Sequence, residues 1–216
     1  MQLAAWTCLL LLPVGLWLGR WLAWSRQAHR PVIEALLLLP LLLPPTVMGF
    51  YLLQVLAPVS WLGALLARWF GGPLAFSFSG ILIASVLINL PFAVQPMQRA
   101  FEAVPQDVRE AAWVSGLSKF ETFRRIELPL AWPGIVSGMA LVFAHTLGEF
   151  GVILMVGGSI PAETKTLSIA IYDRMQAFRD GEAAVMSAAL VVFAMATLLL
   201  LYVTARRPAG VRADRT

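Results

Sequence analysis

Apolar positions run through this chain in long unbroken stretches, and polar positions collect between them. Residues 35–67, 69–98 and 183–205 carry no charged side chain, and each stretch exceeds the roughly 20 residues a helix needs to cross the hydrocarbon core of a bilayer. With the apolar segments at the N-terminus and after residue 129, the pattern predicts five spans, at 3–24, 32–56, 78–97, 130–156 and 183–204. Pro40, Pro44 and Pro45 fall inside the second. Each removes a backbone hydrogen bond, so that span is expected to be kinked. Gly15/Gly19 and Gly134/Gly138 have G-x-x-x-G spacing, which predicts close packing of spans one and four against other helices. In the segment 157–182, Leu167, Ile171 and Met175 recur at helical spacing on one face, so a short helix is expected over 166–178, lying against the membrane surface or between spans.

The longest polar stretch is 99–129. Pro105 suits a helix start, and Asp107 places negative charge near its positive end. A helix over 106–115 is predicted to stop at Gly116. Ser118 and Glu121 have capping-box spacing, predicting a second helix from Lys119, ended by Pro129 before span four. Ala111 and Ala112 leave the first helix a slim face for close approach. Phe120 and Phe123 on the second either anchor in a partner's groove or fold back onto the bundle.

Composition agrees with a single polytopic membrane domain, 1–216. The 216 residues are 59% hydrophobic and 13% charged, where soluble domains carry about 25% charged residues. The net charge of +4 does not indicate nucleic acid, because the basic residues divide by side of the membrane. Arg20, Arg26 and Arg30, then Arg99, Arg109, Lys119, Arg124 and Arg125, then Arg206, Arg207, Arg212 and Arg215 make twelve on one side. Arg68, Lys165, Arg174 and Arg179 make four on the other. The positive-inside rule assigns the first set to the cytoplasm, with the N-terminus outside and the C-terminus inside. Trp17, Trp21 and Trp24 at one end of span one, Trp61 and Trp69 around the outer loop, and Trp132 at the start of span four suit the headgroup zone. The first apolar stretch lacks preceding positive charge and a small-x-small site, so it reads as an uncleaved helix. Cys8 is the only cysteine, which precludes an internal disulfide.

Catalytic chemistry finds no footing. The two lysines, Lys119 and Lys165, lie outside any G-x-x-x-x-G-K pattern. No nucleophile–base set and no H-E-x-x-H motif occurs, and His29 and His145 lie too far apart in sequence to suggest a metal site. Polar groups inside the spans are the candidates for a transport path or gate, namely Thr46, Asn89, Thr146 and Glu149, beside Ser85 and Ser137. A mid-bilayer carboxylate costs about 2.5–3.5 kcal/mol on insertion scales. Glu149 is therefore read either as part of a gate or as paired with His145 one turn earlier.

The spacing E-A-A-x3-G-x9-I-x-L-P is carried by Glu110, Ala111, Ala112, Gly116, Ile126, Leu128 and Pro129. It resembles the cytoplasmic loop of bacterial importer permeases of the ATP-binding-cassette (ABC) class, where the permease meets its ATPase. The run Leu39–Gly49 (LPLLLPPTVMG) is similar to a stretch of molybdate permeases. Leu147-Gly148-Glu149-Phe150-Gly151, with Ile160-Pro161-x-x-Thr164-x-Thr166, is similar to molybdate and sulfate permeases. The resemblance implies an all-α integral membrane fold of the type I importer class and a homodimer seated on two ATPase subunits. It also implies an extracytoplasmic molybdate-binding protein above. ATP and magnesium would belong to the ATPase, with no cofactor in this chain, and molybdate would cross the bacterial cytoplasmic membrane by alternating access. Rival readings are a tungstate or sulfate importer permease and an ATP-independent anion carrier.

Overall fold

Described over residues 1–25 and 27–205, the computed structural model contains helices and connecting segments and, among those residues, no strand. In chain order the helices are α1 (Gln2–Trp24), α2 (Arg30–Leu42), α3 (Pro45–Leu56), α4 (Trp61–Phe70), α5 (Phe78–Glu102), α6 (Gln106–Val114) and α7 (Lys119–Thr122). A π-helical turn (Phe123–Glu127) follows, then α8 (Leu128–Gly148), α9 (Gly151–Gly157), α10 (Leu167–Gln176) and α11 (Asp180–Ala205). Four unbroken stretches are long and apolar enough to cross a membrane: Gln2–Trp24, Phe78–Glu102, Lys119–Gly148 and Asp180–Leu200. Of the twelve basic residues assigned above to the inner side, Arg26, Arg206, Arg207, Arg212 and Arg215 lie outside the described residues.

The expected second span is not a kinked helix but two helices, α2 and α3, bent by 109° at the break. Local chemistry accounts for it. Leu43 and Pro44 each precede a proline and are forced into extended backbone, at ψ 140° and 139°. Two consecutive extended residues end α2, and Pro45 then starts α3 at a position where its missing N–H costs nothing. At 13 and 12 residues, neither half alone reaches across a core about 30 Å thick.

The expected fourth span, 130–156, is also displaced. At its start the helix does not stop at Pro129 but runs unbroken from Lys119 to Gly148. The π turn explains this. The Leu128 N–H bonds back to the Phe123 carbonyl, and this wider turn sits directly ahead of Pro129, where an ordinary α-turn would meet the proline ring and lose a hydrogen bond. At its other end the helix stops at Gly148. Glu149 turns extended (ψ 124°), and α9 begins as a separate helix. The apolar pattern continues across this break, so periodicity alone does not reveal it.

Packing centres on α5. A Cβ added to Gly15 would lie 2.8 Å from Met97 Sδ, and one added to Gly19 would lie 3.0 Å from the Gln98 backbone nitrogen. On the opposite partner, a Cβ on Gly134 would meet Ala100 Cβ at 2.4 Å, and one on Gly138 would meet the Ala93 carbonyl oxygen at 3.3 Å. Both G-x-x-x-G pairs therefore face α5, and α1 and α8 press their backbones against it. Met97, Phe101, Ala131 and Ile135 fill the inner part of this contact, and Leu11, Ala93 and Val142 fill the middle.

Outside this trio, α10 matches the expected short helix, with Thr166 as its N-cap. Its inward residue is Ile169, however, not the Leu167–Ile171–Met175 stripe; Met175 is exposed. Polar ties decide the rotation. Ser168 Oγ donates to the Glu149 carbonyl (2.7 Å), and Asp173 binds Ser159 Oγ (2.9 Å) and Lys165. The Lys165 ammonium holds the Asp173 carboxyl below its ordinary value of 3.8. Because the folded value is the lower one, the stabilisation is fully present above the ordinary value of 3.8 and is lost as pH falls from there through the lowered folded value.

Replacing Gly134 by valine is expected to force α8 away from Ala100 and destabilise the bundle by about 1–3 kcal/mol, as overpacking does in tight cores. A chemical or thermal unfolding curve in detergent checks this, with Gly148→Ala, where a Cβ meets nothing within 4 Å, as the neutral control.

Candidate functional site

The polar loop is a helix–turn–helix whose joints are all satisfied. Pro105 is the N-cap of α6, and Asp107 lies in its first turn. Gly116 adopts φ +86°. Its N–H reaches the Trp113 carbonyl and the Leu117 N–H reaches that of Ala112, both at 3.0 Å. This is the Schellman pairing that glycine at a left-handed position makes cheap. The Ser118–Glu121 capping box is complete, with the Ser118 N–H donating to Glu121 Oε2 (3.0 Å) and the Glu121 N–H to Ser118 Oγ (3.2 Å).

What fixes this loop to the membrane bundle is a carboxylate not singled out in the sequence. Glu127, the last residue of the π turn, is 0% exposed. Its oxygens accept from Arg20 Nε of α1 (2.5 Å) and Arg109 Nε of α6 (2.8 Å). The Arg109 guanidinium also lies 3.6 Å from the centroid of the Trp24 ring and 5.1 Å from that of Trp113, and Arg20 lies over Phe123. One buried anion thus joins the end of α1, the middle of α6 and the entry to α8. Two cations around one desolvated carboxylate satisfy it by hydrogen bonds as well as charge. Arg20 and Arg109 entered the sequence reading only as topology counts. Their spacing of 89 residues carries no signal that they share a partner.

The motif residues divide into two sets. Glu110, Ala111 and Gly116 face outward, with Glu110 held by Gln106 Nε2 at 2.6 Å. Ala112 is buried against the bundle, so the slim face expected of Ala111 and Ala112 together is split between outside and inside. Ile126 and Leu128 are half-buried, and Pro129 is exposed. Val108, Ala111 and Val114 form an exposed apolar stripe along α6, with Val114 90% exposed, and Phe120 on α7 is 68% exposed. Phe123 folds back and stacks near Phe101.

A second polar line crosses the bundle. Thr7 and Ser85 share a hydrogen bond of 2.9 Å, and Asn89 Nδ2 donates to the Ser85 carbonyl (2.8 Å). Asn89 Oδ1 meets His145 Nδ1 at 3.1 Å, and His145 Nε2 lies 3.7 Å from Glu149 Oε2. Glu149 Oε1 accepts from the Val152 N–H (3.3 Å) and so caps α9. The line connects α1, α5, α8 and α9. His145 and Glu149 line a cavity of about 160 Å³ that Pro40, Pro45 and Met48 close from the other side, so the two helix breaks face one another. Of the four candidate path residues, Asn89 and Glu149 are joined through His145. Thr146 bonds its own helix at the Val142 carbonyl (2.7 Å) and opens toward a separate outer cavity with Lys165. Thr46 is exposed on the first turn of α3, apart from the others. Ser137 bonds the Pro133 carbonyl on its own helix. Arg99 extends into solvent and pairs with Glu102 at 3.0 Å.

The chain is a multi-pass helical bundle with a partly apolar loop held outside it by the Glu127 contacts. The chain belongs to the family of binding-protein-dependent transport system inner membrane components, whose model matches residues 12–209; it is a permease subunit of an ABC importer. It is 42% identical to the molybdenum transport system permease protein ModB of Azotobacter vinelandii over 210 residues, covering 97% of this chain and 93% of that one. Identity to the ModB of Escherichia coli K12 is 34% over 190 residues, covering 88% and 82% of the two chains. Identity to a probable sulfate transport system permease protein of Chlorella vulgaris is 33% over 184 residues, covering 85% and 67%. The fold matches the crystal structure of a bacterial ABC transporter involved in import of the acidic polysaccharide alginate. There the TM-score is 0.76 at 18% identity, covering 96% of this chain and 77% of that one.

Glu127→Ala leaves Arg109 buried without its anion. Truncating one member of a buried pair costs about 3–5 kcal/mol, and partial exposure of Arg20 places the loss at the lower end. Limited proteolysis of the purified protein should then cut within residues 106–127 faster than in the parent, while Glu127→Gln, which keeps hydrogen-bond acceptance, is cut at an intermediate rate.

Proposed function

We propose that this chain is the membrane-spanning subunit of an ATP-driven molybdate importer. Two copies form the permease, and two ATPase subunits seat on the α6–α7 loops. An extracytoplasmic binding protein delivers the anion from the opposite face. ATP and magnesium act on the ATPase, and the spans alternate between outward and inward openings. The chain lies in the bacterial cytoplasmic membrane with its N-terminus outside. The positive-inside count supports that orientation, with α2 and α3 taken together as one broken crossing.

The observation that carries the reading is the exposed apolar stripe of α6 on a helix fixed by Glu127. Val108, Ala111 and Val114 face away from the bundle on a helix outside the membrane-spanning stretches. Apolar surface in that position marks a protein docking site. The tether is what makes docking useful. A partner that displaces α6 pulls Glu127 and with it α1 and α8, the two helices pressed against α5. The polar line from Thr7 to Glu149 and the facing helix breaks supply the path, with Asn89 and Glu149 inside it. Thr46 and Thr146 are proposed to line its two approaches. A dianion needs weak contacts along such a path, since tight binding would slow release. The choice of molybdate rests on the 42% identity to the Azotobacter protein over nearly the full chain, and sulfate is the second reading because a sulfate permease matches at 33%.

Glu110→Lys should reduce co-purification of the ATPase by an order of magnitude or more, about 1.4 kcal/mol or greater, while melting of the permease alone stays close to that of the parent. Gly116→Trp should reduce it likewise, and it also strains the turn by about 1–2 kcal/mol because it puts a side chain at a left-handed φ. Unchanged co-purification in both variants removes the docking assignment. Uptake by the reconstituted complex with the cognate binding protein, molybdate competing against sulfate, decides the anion.

A further inference from the structure

Beside the docking loop runs a groove apart from the transport path, which shares only Arg20 with the tether. It lies between one face of α1 and the start of α7, with a volume of about 500 Å³. On α1 its wall is Leu16, Trp17 and Trp21, at helical spacing, and across from it are Phe120 of α7 and Phe123 of the π turn. Trp17 is 69% exposed and Phe120 68% exposed, so the groove is open along its length. It is polar only where Arg20 and Lys119 approach it. Lys119 has no carboxylate partner among the described residues, and Arg20 gives only Nε and one Nη to Glu127. Among the described residues the other Nη of Arg20 has no anion. Glu121, which the field of Arg124 also reaches, is engaged by the Ser118 cap and Arg125.

An apolar trough opening sideways on a spanning helix, lined by indoles and ending in unneutralised cations at the level where the chain leaves the membrane, has the chemistry of a lipid seat. Indole rings favour the headgroup zone, and basic pockets between spanning helices take anionic headgroups. We propose that this groove binds an anionic glycerophospholipid. One acyl chain lies against Trp17, Trp21 and Phe120, and the phosphate is held by Lys119 and the free Nη of Arg20. The charge selects the occupant, because a neutral or zwitterionic lipid would leave the cations unmatched. Such a lipid would brace α7 against α1 on the side opposite Glu127. The inference requires that the chain spans a membrane and that the ATPase seats on the α6 stripe without covering Lys119 and Phe120 of α7.

The test uses the full chain in lipid nanodiscs. Tryptophan fluorescence is read with brominated phosphatidylglycerol and, separately, with brominated phosphatidylcholine at the same mole fraction. Phosphatidylglycerol is expected to quench more strongly, reflecting an enrichment of about five-fold per basic side chain near the lipid. The excess should fall in Lys119→Gln and vanish in Trp17→Phe/Trp21→Phe, whose folding is checked by circular dichroism and gel filtration. Equal quenching by the two lipids overturns the proposal. So does an excess that survives Lys119→Gln unchanged, which would mark a general surface effect. Loss of the excess on adding the ATPase to the parent protein would assign the groove to that subunit and also overturns it.

Discussion

A single buried carboxylate holds the polar loop of this molecule to its membrane part. Glu127 sits without solvent between two arginines contributed by α1 and α6, and its own position depends on the π turn that directs it inward. Desolvating an ion is expensive, and the cost is offset only when every partner is in place. The arrangement is therefore close to all-or-none. With both arginines bound, α6, the entry to α8 and the end of α1 are joined at one point; without the carboxylate, two cations lose their anion and the loop loses its anchor. An apolar contact of the same size would stabilise without fixing orientation, whereas a charge held from two sides fixes both.

The glycine contacts serve the same end by other means. Small residues let α1 and α8 approach α5 at backbone distance, so a displacement at the loop passes to α5 with little slack. At the other end of α8, the capping of α9 by Glu149 and its approach to His145 place a polar joint opposite the break between α2 and α3. Two broken helices facing across one cavity leave backbone and side-chain polar groups in the membrane only where they line an interior space.

Much of this was legible in the chain. The Gly116 turn and the Ser118–Glu121 cap are local events set by residues three or four apart, and they appear as the spacing predicts. The close packing of Gly15/Gly19 and Gly134/Gly138 was likewise readable, although not the identity of α5 as the shared partner. The breaks were misjudged for physical reasons. Consecutive prolines announce a bend but not its angle, which depends on how many residues are driven to extended backbone. The stop after Gly148 lies in a run that stays largely apolar on both sides of Glu149, where periodicity has little contrast. The π turn that carries the helix through Pro129 depends on tertiary packing around Phe123 and Glu127. Glu127 itself was invisible because its meaning lies in contacts 107 and 18 residues away along the chain.

The most direct measurement of the central claim is an intrachain spin-label distance between Gln106 at the start of α6, an exposed position outside the Val108–Ala111–Val114 stripe, and Leu10 on α1, in a Cys8→Ser background of the complete transporter. The account predicts one narrow distance that stays the same with and without ATP, because the tethered loop and α1 travel together. A broad distribution, or a distance that shifts with nucleotide, would show that the loop moves independently of the bundle and would contradict it.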